Sequence, residues 1–437
     1  MPQRVAGRVV AVRRMSKATF FDLRDGSSKI QVAILADELT GKLPFTPPAL
    51  GDIVAVEGRF APTRSGHPSI EPSAISVLSV RTTPLADRMR TTPRSSSRSV
   101  VEKRTLDFLT DDALREALVA RSQTLTTLRN RLGIHDFLEV DTPVLALDRF
   151  VGSATPFSVA SKTLKRDLYL RGTLENDLKQ LVVGGFEKVY EIGDCFRNES
   201  PSLIEFTMLE ATWAYGTSSG MLTLAQDLVG AVCDALAVGP VDESVRIALR
   251  SPWRMITFWS AVEGQLGFDA RTAPWEQLIE TARSRAYKLP ADPPSRELEA
   301  AKFGQFVIKQ LVSSSLESPT FVGRFPSIIS PLAKDFGDGS GEADRGYMFF
   351  RGYRVCEVVT EINDPEEQRR KFELQDSLGV GDEKSNVNGR LIEALGYGCP
   401  PMAGLGFNIN RFLAVLLNRP RTSDVLYFPL TSEPHPL

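Results

Sequence analysis

The N-terminal part of the chain alternates apolar and polar positions in short runs. Ile30, Val32 and Ile34 are separated by single residues, and the pairs Asp25-Gly26 and Gly51-Asp52 interrupt the runs. Alternation with a period of two is typical of a strand that buries one face, and glycine-containing pairs favour tight turns. Roughly five such strands within about 80 residues predict a small closed β-barrel.

The longer C-terminal part begins with a helical pattern. Leucines recur there at spacings of three, four and seven residues: Leu114, Leu118, Leu125, Leu128 and Leu132. This spacing predicts one apolar face of a long amphipathic helix, which Gly133 is expected to end. A second helix is predicted through residues 174–181, ending at Gly184-Gly185.

Strand-like runs follow each of these helices. One is expected over 137–144, and two more, over 189–197 and 205–210, are close enough in the chain to predict an antiparallel pair. The stretch from about 216 to 325 is expected to be mostly helical. The last part of the chain returns to strands before a helix over 411–417.

A polar stretch rich in Ser, Thr and Pro, residues 91–99, separates the two patterns and predicts a linker. We therefore predict a small barrel domain over 1–90, a linker over 91–105 and a second, larger domain over 106–437. The whole is expected to belong to the α+β class.

The balance of charged residues also changes at the predicted linker. Residues 1–105 carry 17 Lys and Arg against 9 Asp and Glu, whereas the remainder carries 35 against 45. A basic module joined to an acidic body is typical of a polyanion-binding domain attached to one that handles a different ligand. A solvated basic face without a ligand explains the same numbers.

Scarce histidine and scattered cysteine exclude several kinds of chemistry. The 437 residues include three His, none near another, and four Cys without a CxxC pair. These counts argue against zinc sites, disulfide frameworks and Ser-His-Asp catalysis. No apolar run approaches the roughly 18 residues that span a membrane, so we expect a soluble, cytoplasmic protein without a membrane partner.

Several candidate functional residues lie on two neighbouring predicted strands. Strand periodicity places Arg197 and Glu199 on one face, and Phe206, Glu210 and Thr212 on one face of the next strand. If the two faces coincide, a cation, carboxylates and an aromatic ring could together bind an anionic group and a flat base. A structural ion pair in an edge hairpin is the alternative explanation.

The amino-acid sequence of these segments is more specific than the spacing of their charged and aromatic residues. Residues 196–199 (FRNE) with 205–210 (EFTMLE) resemble motif 2 of class II aminoacyl-tRNA synthetases of the lysyl subgroup, class IIb. Residues 404–411 (GLGFNINR) resemble motif 3, and residues 137–143 (FLEVDTP) resemble the dimer-forming motif 1. The N-terminal text is similar to the anticodon-binding OB-fold of that family. The resemblance therefore implies an N-terminal OB-fold barrel and a class II antiparallel-sheet catalytic domain with flanking helices.

The resemblance also implies a role for individual residues. Arg197 and Arg411 would act in catalysis, and ATP would contact Arg197, Glu199, Phe206, Arg354, Gly406 and Arg411. The amino acid would contact Glu175, Arg197, Glu210, Thr212, Glu357 and Glu361. The candidate Mg²⁺ ligands of this chain are Glu361 and, as a displaced carboxylate that is unusual in this segment, Glu357. The resemblance implies that RNA contacts Arg13, Phe20 and Gln31. A barrel-core position is the structural alternative for Phe20.

The chain departs from the family at several of these positions. The motif 2 loop is shorter and lacks the Arg and His that usually contact phosphates and the tRNA acceptor end. Tyr347 and Arg354 stand where two magnesium-binding glutamates are expected, although Mg²⁺ prefers carboxylate oxygens.

Three functions remain open from the sequence. The first is ATP-dependent activation of lysine, or a lysine-like amino acid with a cationic side chain, and its transfer to tRNA by a homodimer that uses Mg²⁺. The second is an adenylating ligase with an acceptor other than tRNA. The third is a non-catalytic, tRNA-binding regulatory paralogue.

Overall fold

The computed structural model describes residues 3–16, 18–26, 28–35, 48–63, 66–82, 100–147, 149, 155–198, 203–315, 317–378 and 387–430. The chain divides into two compact units, one that contains the N-terminal barrel and one that contains the elements from residue 100 onward. Among the described residues, no helix is long and apolar enough to cross a membrane.

The N-terminal unit is the predicted barrel. Its strands are β1 (Gln3–Met15), β2 (Ala18–Arg24), β3 (Lys29–Leu35), β4 (Ile53–Pro62) and β5 (Pro68–Ser79). They close in the order β1-β2-β3-β5-β4. Inward-facing side chains such as Phe21, Val32 and Val54 are completely buried and fill the barrel, as alternation with a period of two requires.

The second unit is built around an eight-stranded sheet with the order β12-β13-β16-β17-β18-β11-β10-β6. All neighbours from β13 to β10 pair antiparallel, and the two outer pairs are parallel. The strands of this sheet are β6 (Leu138–Glu139), β10 (Lys188–Phe196), β11 (Glu205–Ala214), β12 (Arg254–Thr257), β13 (Thr320–Gly323), β16 (Arg345–Phe350), β17 (Tyr353–Thr360) and β18 (Met402–Asn408).

Two small sheets are formed by segments that lie between strands of the large sheet in the sequence. One contains β7 (Leu145–Ala146), β8 (Ser158–Ser161) and β9 (Arg166–Leu170), and the other contains β14 (Phe325–Pro326) and β15 (Glu342–Ala343). The strand expected over 137–144 is therefore shorter than predicted, because only β6 forms ladder hydrogen bonds there.

The helices of the described residues flank the large sheet. They are α1 (Val100–Thr110), α2 (Asp112–Ile134), α3 (Glu175–Val183), α4 (Ser218–Ala235), α5 (Glu243–Arg250), α6 (Phe258–Leu266), α7 (Trp275–Ser284), α8 (Arg296–Ser315), α9 (Pro365–Ser377), α10 (Val387–Gly396) and α11 (Ile409–Leu416).

Most helix ends follow the local signals. The Asp111 side chain caps α2 by accepting from the Leu114 N–H, and α3 ends at Gly184 as predicted. Residues 91–99 of the predicted linker lie outside the described residues, and residues 100–105 lie in α1. The predicted α+β class is confirmed by the barrel and by this helix-flanked sheet.

Candidate active site

The central strands of the large sheet place four predicted positions in one row. Glu210 on β11 pairs with Gly406 on β18, which pairs with Glu357 on β17, which pairs with Tyr347 on β16. Their chain neighbours Leu209, Leu405, Val358 and Met348 point to the opposite face and are buried in the core. One face of the sheet is therefore committed to packing, and the other carries the polar residues.

Glycine keeps the middle of this polar face open. A Cβ on Gly404 would lie 2.4 Å from Glu361 Oε1, so only glycine lets that carboxylate approach the strand. At Gly406 the nearest atoms to such a Cβ would be Met208 Cε at 3.8 Å and Glu357 Cβ at 3.9 Å. The missing side chain at Gly406 therefore leaves space between Glu210 and Glu357, as expected where a ligand approaches a backbone closely.

Glu210 is a buried carboxylate that forms no salt bridge with a cation among the described residues. Its Oε2 accepts hydrogen bonds from the Thr173 hydroxyl and the Leu174 N–H, both at 3.1 Å. Burial, aided by the nearby charge of Glu175, raises the pKa of Glu210 to about 7, although Thr173, Leu174 and Arg197 oppose the shift. A cation that arrives beside Glu210 would therefore stabilise its ionised form.

Lys179 on α3 joins two of the predicted substrate carboxylates. Its Nζ lies 2.6 Å from Glu175 Oε1 and 2.7 Å from Glu361 Oε2, and its side chain is only 1% exposed. Burial lowers the pKa of Lys179, but the two carboxylates outweigh burial and hold it above its ordinary value. Lys179 is therefore an internal ammonium group within the acidic end of the site.

Arg345 neutralises the remaining acidic residue. Its Nε donates to Glu357 Oε1 at 2.7 Å, and its guanidinium also bonds the Tyr347 hydroxyl. The Glu357 pKa lies below its ordinary value because Arg345 and Arg354 outweigh the effect of burial. Glu357 is thus an ionised carboxylate that is already paired within the chain.

The opposite end of the polar face is cationic and aromatic. Arg197 follows β10 directly, and its guanidinium carbon lies 5.2 Å from the centroid of the Phe206 ring. Its Nη2 donates to the Gly172 carbonyl at 3.3 Å, whereas its buried Nε has no hydrogen-bond partner in the described structure. A buried guanidinium N–H without a partner favours an anionic or carbonyl ligand at this point.

Arg411 and Arg354 complete this cationic end. Arg411 lies in the first turn of α11, where the Asn408 side chain accepts from its backbone N–H at 2.9 Å. Its Nη1 lies 3.5 Å from the Arg354 carbonyl oxygen. Burial and the charges of Arg354 and Arg197 lower the Arg411 pKa to about 10. The three guanidinium groups, hereafter the arginine cluster, therefore act electrostatically on one region.

The structure thus brings together most of the predicted site residues. Thr212 and Glu210 lie on one face of β11, and Thr212 pairs with Gly404. Glu199 lies outside the described residues. Sequence reasoning missed Lys179, Arg345 and Thr173. For Lys179 a signal existed, since it lies four residues after Glu175 on a predicted helix.

The residues predicted to hold Mg²⁺ do not fit a magnesium site. Glu357 pairs with Arg345, and Glu361 pairs with Lys179. Within the described part of the chain, no group of three or more Asp, Glu, His or Cys side chains could hold a metal ion. Because Mg²⁺ requires oxygen ligands that are free to coordinate, we assign no step of the chemistry to a metal at these residues.

The predicted RNA-binding residues share the outer face of the barrel. Arg13 pairs with Phe20 between β1 and β2, and Gln31 on β3 pairs with Asp22. Phe20 is half-buried, whereas its neighbour Phe21 is completely buried, so the barrel core is formed by Phe21 and not by Phe20. Arg13 Nη2 bonds Asp22 Oδ1 at 2.9 Å.

A barrel of the OB type, joined to an antiparallel sheet with this polar face, defines a class of protein. The family model of class II tRNA synthetases (D, K and N) matches residues 96–432, and the OB-fold nucleic-acid-binding model matches residues 3–78. The chain belongs to the class II tRNA synthetase family, and the predicted resemblance is confirmed.

Curated relatives cover nearly the whole chain. It is 32% identical to the lysine–tRNA ligase of Dehalococcoides mccartyi strain 195 over 98% of this chain and 86% of that protein. It is 34% identical to the lysine–tRNA ligase of Moorella thermoacetica over 97% and 88%. It is also 34% identical to lysine–tRNA ligase 2 of Methanosarcina acetivorans over 98% and 84%.

Proposed function

We propose that this protein activates lysine, or an amino acid with a lysine-like cationic side chain, as an aminoacyl adenylate and transfers it to tRNA. The observation that carries the proposal is one open sheet face with carboxylates at one end and the arginine cluster at the other. Such a face can hold an amino acid with its ammonium groups at the acidic end and its carboxylate toward the cations.

The charge balance of the acidic end supports a substrate with two ammonium groups. Four carboxylates lie there: Glu175, Glu210, Glu357 and Glu361. Two internal cations, Lys179 and Arg345, compensate two of them. When all four are ionised, two negative charges remain, and a diamino acid carries two ammonium groups. Uncompensated buried charge is expensive, so the substrate itself supplies the missing cations.

The chemistry requires positioning and charge neutralisation more than proton transfer. The amino-acid carboxylate oxygen attacks the α-phosphorus of ATP, a new O–P bond forms, and the bond to pyrophosphate breaks. Arg197 would hold the carboxylate beside the α-phosphate through its planar donors, and Arg411 would contact the γ-phosphate. Phe206 would stack on the adenine. Fixed donors of this kind stabilise charge that develops in the transition state.

The proposal is tested by ATP–pyrophosphate exchange with a panel of amino acids. We expect lysine or a close cationic analogue to support exchange at least about tenfold faster than neutral amino acids, because a neutral side chain leaves Glu210 uncompensated. Exchange with no amino acid, in folded protein that binds RNA, would contradict the proposal and support the regulatory function.

Charging of bulk tRNA then identifies the acceptor. The outer barrel face formed by Arg13, Phe20 and Gln31 supports tRNA, because aromatic stacking and basic groups bind single-stranded RNA. The shortened motif 2 loop favours a different acceptor, and exchange without charging would support that second function.

We further propose a cytoplasmic homodimer, since Leu138, Val144 and Leu145 of the motif 1 region expose 43–50% of their surface.

The raised pKa of Glu210 predicts a pH dependence of amino-acid binding. Below pH 7 the free protein holds Glu210 largely protonated, and a cationic substrate requires the ionised form. The KM for the amino acid should therefore fall between pH 6 and pH 8. Glu210→Gln should raise this KM by about 10- to 100-fold and remove its pH dependence. A variant that keeps the same pH profile would exclude Glu210 as the titrating group.

A further inference from the structure

The arginine cluster makes no direct contact with a carboxylate in the described structure, although the charges of Arg354 and Arg197 act on Glu357 and Glu210. The contacts of Arg197 are the Gly172 carbonyl and the Phe206 ring, and Arg411 contacts the Arg354 carbonyl. No carboxylate of the described residues forms a salt bridge with any of the three. Grouped guanidinium groups repel one another, and after burial the charges of Arg354 and Arg197 are the causes that lower the pKa of Arg411. Three neighbouring guanidinium groups are therefore only modestly stable together on their own. A polyanion that binds to them strongly stabilises the cluster.

Arg354 is held in place by a buried aromatic platform. Its guanidinium carbon lies 4.5 Å from the centroid of the Tyr347 ring, which is only 4% exposed. The Tyr347 hydroxyl is bonded by Arg345, which Glu357 holds in turn. Arg354 therefore projects from a platform whose position is fixed before a ligand arrives, which reduces the entropy lost on binding.

The same contacts explain why two carboxylates of the site cannot serve as metal ligands. Glu357 holds Arg345 under the platform, and Glu361 holds Lys179. Neither is free to coordinate Mg²⁺, whereas Arg354 presents a permanent positive charge beside Arg197 and Arg411. A guanidinium matches phosphate oxygens with two parallel donors.

We infer that Arg354, fixed on Tyr347, neutralises the ATP phosphates at the place where the family resemblance implies Mg²⁺, so that ATP binding depends little on a divalent cation. The inference rests on the proposed ATP-dependent function and specifies how the nucleotide is held. It concerns binding of ATP alone and requires no amino acid.

The test is calorimetric titration of ATP into the full-length protein, with Mg²⁺ or with EDTA. For the wild-type protein we expect the two Kd values to agree within about threefold. Arg354→Gln should weaken binding in EDTA by about tenfold or more, because it removes a charge-assisted contact. Arg354→Glu should bind ATP more than about tenfold better with Mg²⁺ than with EDTA, because the added carboxylate repels phosphate unless a cation lies between them.

Arg370→Gln is the matched control, since it removes the same charge from an exposed position on α9 and should leave both Kd values unchanged. A wild-type Kd that rises more than about tenfold in EDTA, or Arg354→Gln with unchanged affinity, would overturn the inference. If ATP binds equally well with and without Mg²⁺ but no amino acid supports exchange, the proposed function fails while the inference on ATP binding is supported.

Discussion

Lys179→Met is expected to lower the free energy of unfolding by about 3–5 kcal/mol. The wild-type ammonium is 1% exposed and lies within 2.7 Å of carboxylate oxygens of both Glu175 and Glu361. Methionine fills a similar volume but carries no charge, so the variant leaves the buried Glu361 carboxylate and the partly buried Glu175 carboxylate without a cation. The expected loss comes from these carboxylates and not from a cavity, and chemical denaturation measures it.

The sign of its pH dependence separates this cause from a packing defect. Without the ammonium, which opposes the effect of burial in the wild type, burial raises the pKa of Glu361 in the folded variant further above its unfolded value. The folded state then binds more protons than the unfolded state, so the variant's stability falls as pH rises. The difference from wild type should therefore be larger at pH 8 than at pH 5.

Two further variants complete the test of Lys179. Lys162→Met replaces an exposed lysine and should change stability by less than about 0.5 kcal/mol. Adding Glu361→Gln to Lys179→Met should recover part of the loss, because one of the unpaired carboxylates is then neutral. A loss for Lys179→Met that is independent of pH and not relieved by Glu361→Gln would exclude the electrostatic explanation.

The sequence predicted the polar face of the sheet because that face follows from strand periodicity. Arg197, Phe206, Glu210 and Thr212 lie within two runs joined by a short loop, and a period of two decides which of them share a side. Glycine at 404 and 406 was equally visible in the sequence. These features depend only on the order of residues within each strand, which can be read directly from the sequence.

The internal cations of the site were not predictable in the same way. Glu175 and Lys179 are spaced as an ordinary surface ion pair of a helix, but in the fold Lys179 is buried and also contacts Glu361, which follows β17 directly. The contact between Arg345 and Glu357 depends on the register of β16 against β17, which contains an irregularity between Met348 and Phe349. Such register shifts arise from tertiary packing and have no local signal.

Arg197→Ala is expected to reduce kcat/KM for ATP–pyrophosphate exchange by about 100- to 1,000-fold, the usual effect of removing a donor that stabilises transition-state charge. Its guanidinium stacks 5.2 Å from the Phe206 centroid, and its charge acts on both Arg411 and Glu210. Arg197→Lys should recover little of the loss, because an ammonium keeps the charge but lacks the planar pair of donors.

The control for Arg197 is Phe20→Ala in the barrel, which should leave exchange within about twofold of wild type and weaken only RNA binding, since stacking contributes roughly 1–3 kcal/mol per base. Both variants should unfold at temperatures near that of wild type. If Phe20→Ala reduced exchange as strongly as Arg197→Ala, adenylation could not be assigned to the sheet face. If Arg197→Lys were fully active, Arg197 would contribute charge alone, and two-point recognition of carboxylate and phosphate would have to be abandoned.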